Sequence, residues 1–267
     1  MMAQVFVAKL YVISILMKTA RLGQTASTPE IRAAQENDAQ PSTLQPPEGR
    51  VYNGRDAQPG EFPWMVRIST VGCGGAIITK NHVLTAAHCF DYYLAGPIEV
   101  IAGLLCPKKH TVSHIQRHEF YVIGSVDTNY DLAILKVDPE FQFTKEVYPV
   151  KIPVQEVEVR GTVAVSGFGN THAEPGPVKS LQTTILTVVP SDRCGYPPNI
   201  ICTEVDETGV CPGDSGGPVV QLGPHGVVLV GIISKGGSLC GNSPLFKYDL
   251  HVNVGAHVPW ILQHLIP

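Results

Sequence analysis

Cys211-Pro212-Gly213-Asp214-Ser215-Gly216-Gly217-Pro218 holds one serine between glycines, with an acid before it and the apolar pair Val219-Val220 after it. The glycines and prolines predict a tight loop that feeds a buried strand. A serine hydroxyl is a weak nucleophile. Acyl transfer at Ser215 therefore needs a base to take its proton, a third group to orient that base, and backbone N–H groups to meet the developing oxyanion. Gly213 and Ser215 can supply those N–H groups without obstruction by a side chain. Upstream, His88 sits between Leu84-Thr85-Ala86-Ala87 and Cys89, and Asp131 opens the apolar run Leu132-Ala133-Ile134-Leu135. The order His, Asp, Ser supplies all three roles, whereas a lone Gly-x-Ser-x-Gly match reads equally well as a polar turn. The opposite order, with Asp249 and His251 or His257 following Ser215, would suit an α/β-hydrolase. That fold requires a helix after the serine, and here Gly216-Gly217-Pro218 leads into a strand-like run.

These segments must be held by elements that are short and mostly extended. Trp64-Met65-Val66-Arg67-Ile68, Gly75-Ala76-Ile77-Ile78, Ile98-Glu99-Val100-Ile101, Val163-Ala164-Val165 and Val227 to Ile233 read as strands separated by turns, the pattern of antiparallel barrels. Helix is expected as a single turn at Ala86–Cys89, near Ser191–Cys194, and through Val258–Leu265 with Pro259 in the first turn. The chain has 267 residues, enough for one large all-β domain or two packed barrels. A formal charge of −4 without a basic run argues against nucleic acid as a partner.

Val5 to Met17 is apolar apart from Lys9, too short for a comfortable membrane span and of the right size for a signal-peptide core. Residues 1–26 are expected to be a signal peptide cut somewhere between Ala20 and Ala26, giving a secreted protein with no membrane segment in its mature form, and a short signal anchor is the alternative. Residues 27–50, polar and poor in large apolar side chains, read as a propeptide. His110, His114 and His118 recur every fourth residue, but Thr111 to Gln116 alternates like a strand, where the outer two would stand roughly 26 Å apart. They are read as solvent-facing structural histidines rather than metal ligands. No Asn-x-Ser/Thr sequon occurs.

The chain resembles the trypsin-like, chymotrypsin-fold serine proteases from Val51 to its end. The resemblance is carried by Ala86-Ala87-His88-Cys89, Asp131-Leu132-Ala133, Ser166-Gly167-Phe168-Gly169 where the family usually has Gly-Trp-Gly, Gly213-Asp214-Ser215-Gly216-Gly217-Pro218, and Trp260-Ile261. It implies an all-β protease domain over 51–267, with two six-stranded antiparallel barrels, an active site between them and a short C-terminal helix. It further implies Ser215 as nucleophile, His88 as base and then acid, Asp131 as the orienting acid, Gly213 and Ser215 as oxyanion donors, and Ser234 hydrogen-bonding near Asp131. No metal or organic cofactor is implied, and Leu104 stands where calcium-binding relatives carry an acid. Substrates would be proteins or peptides, and protein protease inhibitors are possible partners. A protease-like binding protein that has lost its chemistry is the alternative, disfavoured because His88, Asp131, Ser215 and Gly213 are all kept.

Gly49-Arg50 followed by Val51-Tyr52-Asn53-Gly54 resembles the family's activation sequence, so an activating trypsin-like protease would cut after Arg50 and free a Val51 ammonium to pair with Asp214. Of the seven cysteines, the family pattern implies Cys73–Cys89, Cys194–Cys202 and Cys211–Cys240, and lacks a further bridge that would fall near Val163 and Gln221. Cys106 is left over. It is expected to be a partly buried inert thiol in a monomer, with a disulfide dimer as the other reading. In the primary pocket the resemblance puts Gly209 at the floor, Ser234-Lys235-Gly236 along one wall and, matching Pro244, Leu245 on another. A neutral, shortened pocket implies small or medium apolar P1 residues. The rivals are an acidic P1 selected by Lys235 or Lys247, and a basic P1 if the loop register brings Asp206-Glu207 inward.

Overall fold

The computed structural model of the protein describes residues 54–125, 127–156, 158–170, 180–205, 208–224, 226–236 and 247–265. The expected signal peptide, the propeptide and the Arg50–Val51 junction lie outside them, as do Asp206-Glu207, Cys240, Pro244 and Leu245. The strands in chain order are β1 (Arg55–Asp56), β2 (Met65–Ile68), β3 (Cys73–Ile77), β4 (His82–Thr85), β5 (Glu99–Ala102), β6 (Lys108–Arg117), β7 (Ala133–Asp138), β8 (Thr162–Gly167), β9 (Gln182–Val189), β10 (Ile200–Glu204), β11 (Pro218–Gly223), β12 (Gly226–Lys235) and β13 (Tyr248–Asn253).

Two closed six-stranded antiparallel barrels result. The first runs β2-β3-β4-β7-β6-β5, with β5 returning to β2 through Val66↔Ala102 and Arg67↔Ile101. The second runs β8-β9-β10-β13-β12-β11, with β11 returning to β8 through Val219↔Val165. Counted from its own first strand, each barrel has the same order, one-two-three-six-five-four. Buried Val66, Ile68, Ile77, Leu84, Val100 and Leu135 fill the first, and Val163, Val165, Leu186, Val219 and Ile233 cluster in the second. The β2–β3 turn closes at Gly72, whose N–H donates to Ile68 O (3.0 Å) with φ of 69°, a left-handed conformation that suits glycine.

Helix occurs at the three expected places, a 3-10 turn at Ala87–Phe90, one turn at Ser191–Cys194 and a C-terminal helix at Val258–Gln263 that stops two residues short of the expected Leu265, and also as a 3-10 turn at Val254–His257 that leads into that last helix. Cys73–Cys89 and Cys194–Cys202 are bonded. Cys211 is buried, and Cys106 is exposed rather than partly buried because it lies in the Gly103–Pro107 turn outside either barrel wall. Where the family's further bridge is missing, Gln221 ties β11 to the strand beside it, donating through Nε2 to the carbonyls of Arg160 (2.7 Å) and Thr162 (3.0 Å).

The histidine triplet does lie on a strand, β6 and the residue that follows it, but only His114 faces solvent. His110 is buried against the Phe141 ring and pairs through Nδ1 with Pro139 O (2.6 Å). His118 is buried against Trp260, stacked at 4.7 Å between ring centres. Sequence alternation could not reveal those coverings, because both come from distant segments.

Each end of the described chain docks on the barrel built from the other end. β1 pairs with β9 through Arg55↔Thr183 and Asp56↔Gln182, and Asp56 also accepts from Ser180 Oγ (2.9 Å) and Gln182 Nε2 (2.5 Å). The C-terminal helix returns to the first barrel, where Trp260 Nε1 donates to Glu119 Oε2 (2.7 Å) and His264 Nε2 lies 3.1 Å from Glu119 Oε1.

Glycine lets the barrels approach closely. A Cβ on Gly74 of β3 would lie 2.9 Å from Met65 Cε, 3.0 Å from Gly217 Cα and 3.1 Å from Gly217 N. Gly74→Ala should therefore lower stability by about 1–3 kcal/mol through overpacking, read as a reduced midpoint in chemical denaturation. An unchanged midpoint would show that the seam has slack.

Candidate active site

Strand β4 delivers the histidine. Ala86, extended at φ −83° and ψ 141°, leads from Thr85 into the 3-10 turn, and that turn faces His88 toward Asp131. Asp131 is 3% exposed, just ahead of β7, and its carboxylate is filled from three directions. Oδ1 accepts the His88 backbone N–H (2.8 Å), while Oδ2 stands 2.6 Å from His88 Nδ1 and accepts Ser234 Oγ–H (2.5 Å). An ionised carboxylate only accepts, so the His88 proton resides on Nδ1 and Nε2 keeps its lone pair.

Burial pulls the His88 imidazolium down, but the hydrogen bond and charge of Asp131, helped by Asp91 and opposed by Lys235, outweigh it. The net pKa lies above the ordinary histidine value. The His88 nitrogens and the sulfurs of Cys73 and Cys89 crowd together within 4.8 Å, yet the two sulfurs are bonded to each other and are not thiolate ligands.

Ser215 is set by backbone bonds to both barrels. Its carbonyl accepts Gly74 N–H (2.8 Å), and the next residue, Gly216, donates to Ile233 O (2.8 Å). Gly216 has φ of 77°, and a Cβ there would lie 2.6 Å from Gly74 O and 3.1 Å from Ala86 N. Only glycine permits that approach, which presses the serine loop against the segment carrying His88. Thr85 Oγ1 donates to Gly74 O (2.7 Å) and completes the seam.

The Pro212 carbonyl accepts Asn170 N–H (2.9 Å). A trans peptide directs its C=O and N–H oppositely, so the Gly213 N–H faces away from Asn170. Among the described residues neither Gly213 N–H nor Ser215 N–H has an acceptor. Gly213 has φ of 100°, and a Cβ would meet Gly169 Cα at 2.8 Å. Two undirected donors beside a serine form the kind of cradle an oxyanion requires. Next to it lies a cavity of about 250 Å³ lined by Arg67, Gly72, Cys73, Phe168, Asn170, Pro212 and Gly213.

Asp214, at 2% exposure, turns its side chain inward from this loop. Oδ1 accepts Gly169 N–H (2.8 Å) and Oδ2 accepts Cys211 N–H (2.9 Å). Burial outweighs those bonds and pushes its pKa up to about 6.

The sequence reading puts Gly209, Ser234, Lys235 and Gly236 at a primary pocket, and beside two of them lies a residue that it does not assign there. Asp249 of β13 is fully buried against both glycines. A Cβ on Gly209 would lie 3.1 Å from its Oδ2, a Cβ on Gly236 would lie 3.3 Å from its Oδ1, and Val210 N–H donates to Oδ2 (2.9 Å). A carboxyl group therefore lies beside Gly209, where the residue type alone suggests a neutral surface. Asp249 and His251 also play no part in a hydrolase-type triad, since His251 Nε2 pairs with Thr203 Oγ1 (2.9 Å). Of the lysines in the acidic-P1 rival, Lys235 has its pKa lowered by burial, against the opposing charges of Asp131 and Asp127, and Lys247 Nζ stands 5.3 Å over the Tyr248 ring.

The sequence pattern of the Trypsin family matches residues 51–261. Lectizyme of Glossina austeni is 34% identical over 74% of this chain and 81% of its own length, and Hypodermin-A of Hypoderma lineatum 30% identical over 71% and 78%. Serine proteinase stubble of Drosophila melanogaster is 31% identical over 84% of this chain, which spans about a third (32%) of that protein. The chain belongs to the trypsin family of serine proteases, a family whose substrates are proteins.

A general base must be unprotonated. If His88 is that base, the acid limb of kcat/KM should have its midpoint above the ordinary histidine value of about 6.5, in the direction that Asp131 drives it. A rate independent of pH between about 5 and 8 would rule out His88 as the base.

Proposed function

We propose that this chain is a secreted serine endopeptidase, made as a zymogen and acting through an acyl-enzyme. The observation that carries the reading is the buried Asp131 carboxylate. It holds His88 by both backbone and ring, in the tautomer that leaves Nε2 free to accept a proton, next to the loop of Ser215, where the Gly213 and Ser215 N–H groups have no acceptor among the described residues. Ser215 Oγ attacks the scissile carbonyl as His88 takes its proton. The Gly213 and Ser215 N–H groups stabilise the oxyanion, and His88 returns the proton to the leaving amine. Water then repeats the sequence to release the acid product.

Activation fits the geometry around Asp214. A Cβ on Gly167 of β8 would lie 2.8 Å from Asp214 Cγ; Gly167 is paired with Gln182 of β9, and Gln182 with Asp56 of β1. Two strand spacings separate Asp56 from the Asp214 side chain, about 10 Å, and the five residues back to Val51 can span about 17 Å. An ammonium freed at Val51 by a protease cutting after Arg50 is thus within reach of a buried carboxyl that lacks a cationic partner among the described residues. Export is supported by the apolar stretch near the N-terminus and the disulfides, and among the described residues no helix is long and apolar enough to cross a membrane.

The cleaved protein should be labelled at Ser215 by a fluorophosphonate, and Ser215→Ala should lower kcat by about 10⁶-fold. Equal turnover by the variant would end the assignment.

Arg50→Gln should give a latent protein, detected as absence of peptide hydrolysis after exposure to trypsin. Its stability carries a signature too. An acid whose folded pKa is about 6, above its unfolded value, keeps its proton longer when native, so stability is lost as pH rises from about 4 to about 6, by roughly 3 kcal/mol. The cleaved protein, with Asp214 paired, should escape that loss. Denaturation curves across this range that coincide for the cut and uncut forms would contradict the pairing.

A further inference from the structure

A cluster of rings is packed behind the turn that carries Asp131. The turn closes on itself: Asp131 N–H donates to Thr128 O (3.3 Å) and Leu132 N–H to Tyr130 O (2.7 Å), while His118 N–H donates to Leu132 O (2.9 Å). The carbonyl of Asn129 receives no backbone N–H among the described residues, and the ring of His257 donates to it instead. His257 ends the 3-10 turn Val254–His257, which Asn253 of β13 fixes by accepting Gly255 N–H (3.0 Å) and donating through Nδ2 to Pro198 O (3.0 Å). Through one side chain, then, the second barrel takes hold of the turn that presents the acid of the first.

His257 is 5% exposed, and burial lowers its pKa, so the ring is neutral and carries a single N–H. Its Nε2 is buried with no hydrogen-bond partner, which leaves Nδ1 as the donor to Asn129. The same ring helps to surround Tyr130, whose ring centre lies 5.8 Å from that of His257, 4.8 Å from that of His118 and 5.3 Å from that of Phe120. His118 is itself stacked on Trp260. The Asn129–Tyr130 peptide is thus held by its carbonyl at one end and by a packed ring at the other. Rotating that peptide would redirect the next residue, Asp131, whose Oδ2 stands 2.6 Å from His88 Nδ1.

We propose that His257 is a positioning residue for peptide hydrolysis: its Nδ1–H on the Asn129 carbonyl fixes the turn that aims the Asp131 carboxylate at His88. This rests on the protease reading of the triad. His257 exchanges no proton with the reacting groups and acts only through where it holds Asp131. Phenylalanine at this position would keep a ring and lose the donor, whereas asparagine would place an amide N–H where Nδ1 stands and lose the ring.

Cleaved His257→Phe protein should lose about 100-fold in kcat on a small peptide, the scale on which a slight misplacement remote from the chemistry acts, with KM little changed, and His257→Asn should recover most of that loss. Wild-type kcat in His257→Phe, or equal losses in both variants, overturns the proposal and leaves the ring as packing. Two nuclear magnetic resonance readouts in Ser215→Ala protein need no turnover. The His88 Nδ1 proton, in a short bond to a carboxylate, should resonate far downfield, persist when His257→Asn is added and be lost to exchange when His257→Phe is added. The ring nitrogens of His257 should show Nδ1 protonated and Nε2 bare, a readout that requires no change at position 257. The opposite tautomer overturns the proposal, as does a His88 proton indifferent to His257→Phe. Wild-type protein that fluorophosphonate fails to label, with both signals as expected, would remove the protease reading and leave the hold of His257 on Asp131 standing.

Discussion

A single carboxylate, Asp131, is the constraint from which the site follows. An ionised group buried to this degree is tolerated only when its lone pairs are met, and here the donors come from both barrels. The His88 backbone and ring approach from the β4 side, and Ser234 approaches from the far end of β12. Docking of the two barrels is thereby coupled to the orientation of the imidazole. Misplacing either barrel would strand a buried charge, so the pressure to satisfy it also sets how His88 is held.

Glycines govern the other half of the site, through the absence of side chains. Gly74, Gly216 and Gly217 let the serine loop lie against β3 and the Ala86 backbone, and Gly167 and Gly169 leave the space occupied by the Asp214 carboxyl. At each of these positions a methyl group would collide with backbone or with a buried carboxyl. The loop's position is therefore enforced by close packing over its whole length, and Ser215 needs no side-chain hydrogen bond of its own to be held in place.

Much of this was legible in the residue order. The His88, Asp131 and Ser215 segments stand out because their small and apolar neighbours leave little else for a polar side chain to do, and the strands of both barrels declare themselves through short β-branched runs broken by turns. The pocket was harder to read. Alternation along Tyr248–Asn253 looks like a strand with a wet face and a dry face, and nothing local indicates that Gly209 and Gly236 cover the polar side. His110 and His118 were misread for the same reason, since the rings that bury them, Phe141 and Trp260, arrive from elsewhere in the chain. Periodicity reports that a strand has two faces, but which face is covered is decided by partners distant in sequence.

The exchange of chain ends between the barrels has a mechanical consequence. β1 is laced into the second barrel and the C-terminal helix is pinned to Glu119 on the first, so the two halves are strapped together in opposite senses. Swinging them apart would have to strip the β1–β9 pairs at one strap and the Trp260–Glu119 bond at the other, in addition to opening the glycine seam. The two straps therefore oppose a clamshell opening of the barrels.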